Sequence, residues 1–224
     1  MRDGDAVGTR DQLLLTAEQM FAQEGYQAVS LRAITRRCEV NPAAIHYHFG
    51  SKQAMLEEIF HRRCGPMNDE RLRLLAECRE APDRPPLVEQ ILRAYLRPSL
   101  IRSDDPDGAR NFLQLRAKLA YEDAALVQEL IARHFDHVSR TFIRALLDAL
   151  PDLPEEDVYW RVHFLHAAQY YTLINPGRIR DLSEGHCDPS SADVALDHMV
   201  EFFGAAFRMP SVSAATGARM DGAS

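Results

Sequence analysis

Apolar residues along this chain recur at intervals of three and four, and no stretch sustains strict alternation of apolar and polar positions. That pattern predicts an all-α protein. Leu13, Leu14, Ala17, Met20 and Phe21 form the first stripe, closed by Gly25 as a C-terminal stop. Ser30 is placed to cap a second helix, with Leu31 and Ile34 turned inward. Asn41-Pro42 reads as the cap and first position of a short third helix ending near Phe49-Gly50. Ser51 caps a fourth, with Met55, Ile59 and Phe60 along one side. Cys64-Gly65-Pro66 is expected to kink or end it, because proline lacks the donor and crowds the preceding turn.

Downstream, breaks fall at Ala81–Pro86, Asp104–Gly108, Pro151–Pro154 and Asn175–Gly177. Between them lie helical stretches at 87–102, 109–120, 123–150 and 155–174. A loop is expected at 185–190, and a last helix at 191–208. The total is about nine helices. This divides the chain into a first domain at 9–50, a second at 51–208, and a small, polar tail at 209–224 that is expected to be disordered.

Charge narrows the partners. Residues 1–64 balance eight cationic against eight acidic side chains, while the remainder carries 18 against 25 and the entire net charge of −7. Coating nucleic acid by bulk charge is excluded, so any DNA contact must rest on a few placed groups. Cys38, Cys64, Cys78 and Cys187 show no paired spacing. Reduced thiols and a cytoplasmic location fit them better than a disulfide framework. The start lacks an apolar signal segment. The longest run without a charged residue, Val162–Gly177, is too short to span a bilayer, so no membrane partner is expected.

The most informative stretch is Ser30–Lys52. Two short helices flank a tight turn at Cys38–Asn41, and a further capped helix follows at once. This is the plan of a helix-turn-helix, whose second helix lies in the major groove of DNA. Pro42, Ala43 and Ala44 are compact, so that helix can sit deep, and alanine methyls can pack on a thymine methyl. Tyr47 and His48 are positioned to hydrogen-bond phosphate oxygens. Lys52 in the first turn of a helix opposes the dipole, an arrangement that a bound phosphate would offset. Ser30 and Arg32 are placed to clamp the flanking backbone. Arg36 and Arg37 read as solvated surface charge that can assist.

From Leu13 through Phe60 the sequence resembles the TetR-family DNA-binding domain. The matching residues are Phe21-Ala22 with Gly25-Tyr26, Ser30-Leu31-Arg32 with Ile34, Val40, and the run Ile45-His46-Tyr47-His48-Phe49-Gly50-Ser51-Lys52. The resemblance implies a three-helix DNA-binding domain on an all-helical body that binds a ligand and dimerises. It also implies phosphate and base contacts from Ser30, Arg32, Pro42, Ala43, Ala44, Tyr47, His48 and Lys52. Two positions depart from the family pattern. Glu39 stands where the turn usually has glycine, and Thr35 where the helix contact usually has alanine. If the turn keeps a positive φ, Glu39 costs on the order of 1 kcal/mol. The Gly65-Pro66 break and Trp160-Arg161 with Phe164 further resemble the PsrA-like branch, which responds to fatty acids or acyl-CoA.

The expected partners are therefore a palindromic double-stranded DNA operator, a small and mostly apolar effector, and a second copy of the chain. Candidate pocket walls are Phe112, Leu115, Arg116 and Leu119 on one helix, and His163, Phe164, Ala167, Tyr170 and Tyr171 on another. Arg116 within an apolar stripe calls for an anionic partner, either an internal carboxylate or a ligand acid. Ala195, Met199, Phe202, Phe203 and Ala206 form an apolar stripe suited to a dimer interface, with packing inside one chain as the alternative. His134/His137 and His163/His166 have i,i+3 spacing that can ligate a transition metal, which makes a metal-responsive regulator the alternative reading. No cofactor is expected, and no catalytic motif such as GxSxG, a P-loop or HExxH is present, so an enzyme is the remaining alternative.

Overall fold

The computed structural model describes residues 3–79, 86–101, 105–188 and 191–211. Ten helices run through them: α1 (Asp3–Glu24), α2 (Leu31–Arg37), α3 (Ala43–His48), α4 (Lys52–Cys78), α5 (Val88–Leu100), α6 (Pro106–Glu122), α7 (Ala124–Ala149), α8 (Glu155–Ile174), α9 (Pro176–Leu182) and α10 (Ala192–Arg208). No strand occurs among the described residues. Most of the expected linker at 81–86, and positions 212–224 of the expected tail, lie outside them.

Two compact units divide the chain. The first comprises Met1–Met67 with Arg102–Asp136, the second Asn68–Ile101 with His137–Ser224. In the first, the α1 stripe of Leu13, Leu14, Ala17 and Phe21 meets Ile34, Ile45, Met55, Leu56, Ile59 and Phe60, and also Phe112, Leu115 and Leu119 of α6. At the centre of this unit lies a buried ion cluster. Arg63 Nε and NH2 donate to Glu18 Oε1 and Oε2 at 2.6 and 2.5 Å, and NH1 donates to Asp105 at 2.6 Å. The two partners Arg63 and Glu18 are 5% and 3% exposed, so the pair replaces hydration almost completely. Burial alone would weaken the Arg63 cation, but the hydrogen bonds it donates to Glu18 and Asp105 more than reverse this. The second unit packs Leu75, Ile91, Leu96, Phe142, Leu146 and Val162 against Leu196, Val200, Phe203 and Phe207 of α10. There, Arg161 of α8 donates to the Ala206 and Phe207 carbonyls at 2.8 and 2.9 Å, satisfying the C-terminal end of α10.

Prolines explain where the observed elements differ from the sequence pattern. α4 does not end at Cys64–Pro66 but continues through Pro66 to Cys78. The lost hydrogen bond is outweighed by anchors on both sides: Phe60, Arg63 and Cys64 before it, and Asn68, Arg71 and Leu75 after it, are all buried. Conversely, Pro106 and Pro176 do not merely break structure. Each stands at the start of a helix, where its missing N–H is no loss. Asp105 caps α6 by accepting from Gly108 N–H at 2.9 Å. The Asn175–Gly177 break thus contains the start of α9, a helix absent from the sequence expectation.

Candidate functional site

The region Ser30–Lys52 is built by local hydrogen bonds. Ser30 Oγ accepts from Ala33 N–H at 3.2 Å and caps α2. Thr35 is buried at the helix contact, and its hydroxyl donates to the Arg32 carbonyl at 3.1 Å, so it brings no unsatisfied group into the core. Glu39 holds the turn at φ 56°, the left-handed region expected to strain a non-glycine residue. The chain returns through Val40 N–H to the Thr35 carbonyl at 3.0 Å. Asn41 then starts α3 twice over: its side-chain oxygen accepts from Ala43 N–H, and its carbonyl from Ala44 N–H, both at 2.9 Å. Gly50 at φ +76° and Ser51 Oγ, accepting from Ala54 N–H at 3.0 Å, turn the chain into α4.

These constraints present one face of α3 to solvent. Ile45 is its only fully buried residue. Pro42, Ala43, His46 and Tyr47 are exposed, and Ala44 and His48 half-buried. Tyr47 is 83% exposed, with its ring edge-on to His48 at 5.0 Å. Exposed Arg32, Arg36 and Arg37 follow one another along α2. Lys52, the expected phosphate contact at the start of α4, leans on the aromatic side chains beside it. Its ammonium lies 4.3 Å from the Tyr26 ring centroid and 5.9 Å from that of Phe21. Burial lowers its pKa, partly opposed by the charge of Glu122. Chemically, a compact helix start, a phenol, an imidazole and a line of cations suit a groove edged by phosphates.

The expected pocket walls fall in different units. Phe112, Leu115 and Leu119 are core residues of the first unit, with Arg116 lying over the Phe112 and Phe135 rings at 5.8 and 5.2 Å. The α8 positions belong to the second unit. His163, Phe164, Ala167 and Tyr171 point to solvent and Tyr170 is half-buried, whereas Val162, Leu165 and His166 line a cavity. That cavity, of only about 10 Å³, is completed by Ile91, Leu92, Tyr95, Ser139, Phe142, Ile143 and Leu146. Tyr95 Oη and His166 Nε2 hydrogen-bond across it at 2.9 Å, and their rings stack at 5.4 Å. Nothing in the spacing of these apolar residues distinguishes cavity lining from ordinary core; the only signal is a tyrosine and a histidine on otherwise apolar faces.

The expected dimer stripe is also split. Met199 and Phe203 are buried within the chain's own second core, Ala195 and Ala206 are half-buried, and Phe202 is 68% exposed. The outward series of α10 instead runs from half-buried Ala195 through exposed His198, Phe202 and Ala205 to Met209 just past its end, at alternating spacings of three and four. α8 carries a matching outward series of Trp160, Phe164, Ala167, Tyr171 and Ile174, with Trp160 and Phe164 stacked at 5.9 Å. The histidine pairs are not gathered. His134 Nε2 meets Glu57 at 3.0 Å in the first unit, His166 is engaged with Tyr95 in the second, and His163 faces solvent. Among the described residues no three His, Cys, Asp or Glu side chains form a metal-sized group. None of the described helices is long and apolar enough to cross a membrane.

Two family models match this chain. Residues 13–59 match the bacterial regulatory proteins of the tetR family, and residues 93–206, half of the chain, match the tetracyclin repressor-like C-terminal domain. The chain belongs to the TetR family. TetR-family regulators are typically DNA-binding repressors with a ligand-binding C-terminal domain, and they act as dimers. Over 55 residues the chain is 33% identical to the HTH-type transcriptional regulator UidR of Escherichia coli K12, a match covering 25% of this chain and 28% of UidR. The fold is shared more widely. A TetR-family regulator from Bordetella parapertussis superposes with a TM-score of 0.64 at 18% identity, over 87% of this chain and 93% of that one. The fatty acid degradation regulator FadR from Bacillus halodurans does so with a TM-score of 0.59 at 16% identity, over 89% and 96%.

Proposed function

We propose that this TetR-family chain is a homodimeric transcriptional repressor that reads a palindromic operator and is released from it by a small, mostly apolar effector. The observation carrying the reading is α3. It is short, capped at its start and anchored chiefly by Ile45, with Pro42, Ala43 and Tyr47 exposed and Ala44 and His48 half-buried beside them. Two such helices, related by a two-fold axis, would enter successive major grooves. Ser30, Arg32 and Lys52 would hold the phosphates beside them.

The second copy is accommodated by the outward series on α8 and α10. Alternating steps of three and four are the spacing of a helix–helix seam, and the exposed Trp160, Phe164, Tyr171 and Phe202 supply large apolar area for it. The effector site is the cavity between α5, α7 and α8. As it stands, its volume of about 10 Å³ takes at most one water, so an effector would enter only as these helices move apart. A small apolar molecule with one polar end matches the lining, the polar end meeting Tyr95, His166 or Ser139. A fatty-acid-like effector agrees with the apolar lining, as with the PsrA-like resemblance and the function named for FadR. Binding would favour a state with weaker DNA affinity, a coupling typically worth ~1–3 kcal/mol.

The test is fluorescence anisotropy on a labelled mixed-sequence 30-bp duplex and on the DNA upstream of the chain's own coding region, at several salt concentrations. Tyr47→Ala and Lys52→Ala should each weaken binding to both duplexes, and Lys52→Ala should also flatten the salt dependence by about one contact per head. Parental affinity and salt slope in both variants would remove the phosphate assignment. Insensitivity of the parent to chelator is expected, and a chelator-dependent affinity would restore the metal-responsive alternative.

A further inference from the structure

The last turn of α6 holds the turn between α1 and α2 by two polar contacts. Lys118 Nζ donates to the Gln23 carbonyl, and Glu122 Oε2 accepts from the Gln27 backbone N–H at 3.0 Å. The second contact is closely built. Gly25 lies at φ +99°, and a Cβ added there would overlap Glu122 Oε1, so this carboxylate rests where only glycine leaves room. The acceptor comes from 95 residues away in sequence. The Lys52 ammonium lies 4.3 Å from the ring of Tyr26, the residue before Gln27, so it and the Glu122 carboxylate share this turn, and the charge of Glu122 favours its protonated form.

A backbone N–H at a glycine turn with a nearby ammonium is the chemistry that receives a phosphate oxygen. Here that chemistry serves an internal anion. We propose that Glu122 is a built-in competitor of DNA phosphate: seated on Gln27, it keeps Lys52 turned toward Tyr26 and so lowers the affinity of the head for the nucleic-acid backbone. The inference rests on the reading of Lys52 as a phosphate contact. It makes Glu122 a positioning residue that acts through Lys52, and it makes the grip of α6 on the α1–α2 turn a setting for DNA affinity.

Glu122→Gln separates charge from structure, because the amide oxygen still accepts from Gln27 N–H while the negative charge is gone. The assay is anisotropy on the labelled mixed-sequence 30-bp duplex between 50 and 300 mM KCl, with Lys52→Ala, the E122Q/K52A double variant, and Glu24→Gln as an exposed neighbour that makes none of these contacts. E122Q is expected to bind about threefold tighter per head, hence about tenfold for a dimer at 50 mM salt, with a salt slope steeper by less than one contact per head. K52A should abolish that gain, and E24Q should shift affinity less than about twofold. The proposal fails if E122Q stays within twofold of the parent, if E24Q matches it, or if the gain survives in the double variant. Should E122Q be unfolded at the assay temperature, Glu122→Ser drops the charge and lets water reach Gln27, and the same outcomes apply. A parent that binds no duplex at all would instead refute the DNA-binding reading.

Discussion

Replacing Arg63 by methionine removes one partner of a buried ion pair and leaves the other behind. Glu18 is 3% exposed and receives both of its charged hydrogen bonds from Arg63, at 2.6 and 2.5 Å. Breaking such a pair from one side costs about 3–5 kcal/mol, because the surviving charge has neither water nor a counter-ion. Asp105 adds little to that figure: its side chain is 44% exposed and keeps the Gly108 N–H. For a chain of this size the loss corresponds to a fall in Tm of about 6–20 °C. The double variant R63M/E18L removes both charges and should recover to within about 1 kcal/mol of the parent, or exceed it. pH gives an independent check. Burial already pushes the Glu18 carboxyl upward even beside Arg63, so without the arginine its folded-state pKa lies above the unfolded value. A group raised in this way favours the folded state at low pH and loses that contribution as pH rises through the folded pKa. The deficit of R63M relative to the parent should therefore be smaller at pH 5 than at pH 8. Urea unfolding followed by circular dichroism, at a fixed protomer concentration, measures both effects. A penalty under about 1 kcal/mol at pH 8, or one that does not shrink on acidification, would refute the account of the cluster as a buried ion pair.

Two further substitutions test other parts of the molecule. Glu39→Gly relieves a left-handed residue at φ 56°, and after the entropy glycine adds to the unfolded chain it should gain about 0.5–1 kcal/mol, seen as a Tm rise of about 1–4 °C; an unchanged or lower Tm would mean that the turn is not strained. Trp160→Glu combined with Phe202→Glu places charges on side chains that are 54% and 68% exposed, so the helical content should stay constant while sedimentation shifts from dimer to monomer; a dimer that persists would move the subunit interface elsewhere.

The helix-turn-helix was legible from sequence because its determinants are local. Ser30, Asn41, Pro42 and Ser51 act within three residues of themselves, and the structure shows each cap where short-range chemistry requires it. Prolines were harder, since one residue type both breaks and starts helices. Pro106 and Pro176 start them, and Pro66 is tolerated inside one because long-range burial on both sides outweighs its local cost. The aromatic run of α8 was ambiguous for a different reason. Apolar residues occupy most of the helix circumference, so periodicity does not say which side meets the core, and Val162, Leu165 and Gln169 decide the matter only through α5, α7 and α10. The Arg63–Glu18–Asp105 cluster and the Glu122–Gln27 contact join residues 42 to 95 positions apart. No spacing rule reaches that far.

The six residues of α3 have a consequence for how binding preference can change. A helix this short does not hold together by itself in water. It persists because Ile45 and the caps at Asn41 and Phe49 tie it to its neighbours. The side chains at 43 and 47 bear none of that burden, whereas His46 Nδ1 is hydrogen-bonded to the Gly50 carbonyl at 3.1 Å. On the proposed reading, positions 43 and 47 are an interchangeable surface on a fixed mount, where new operator preferences could be written with little penalty in folding, while a change at Ile45 would erase the reader together with whatever it reads.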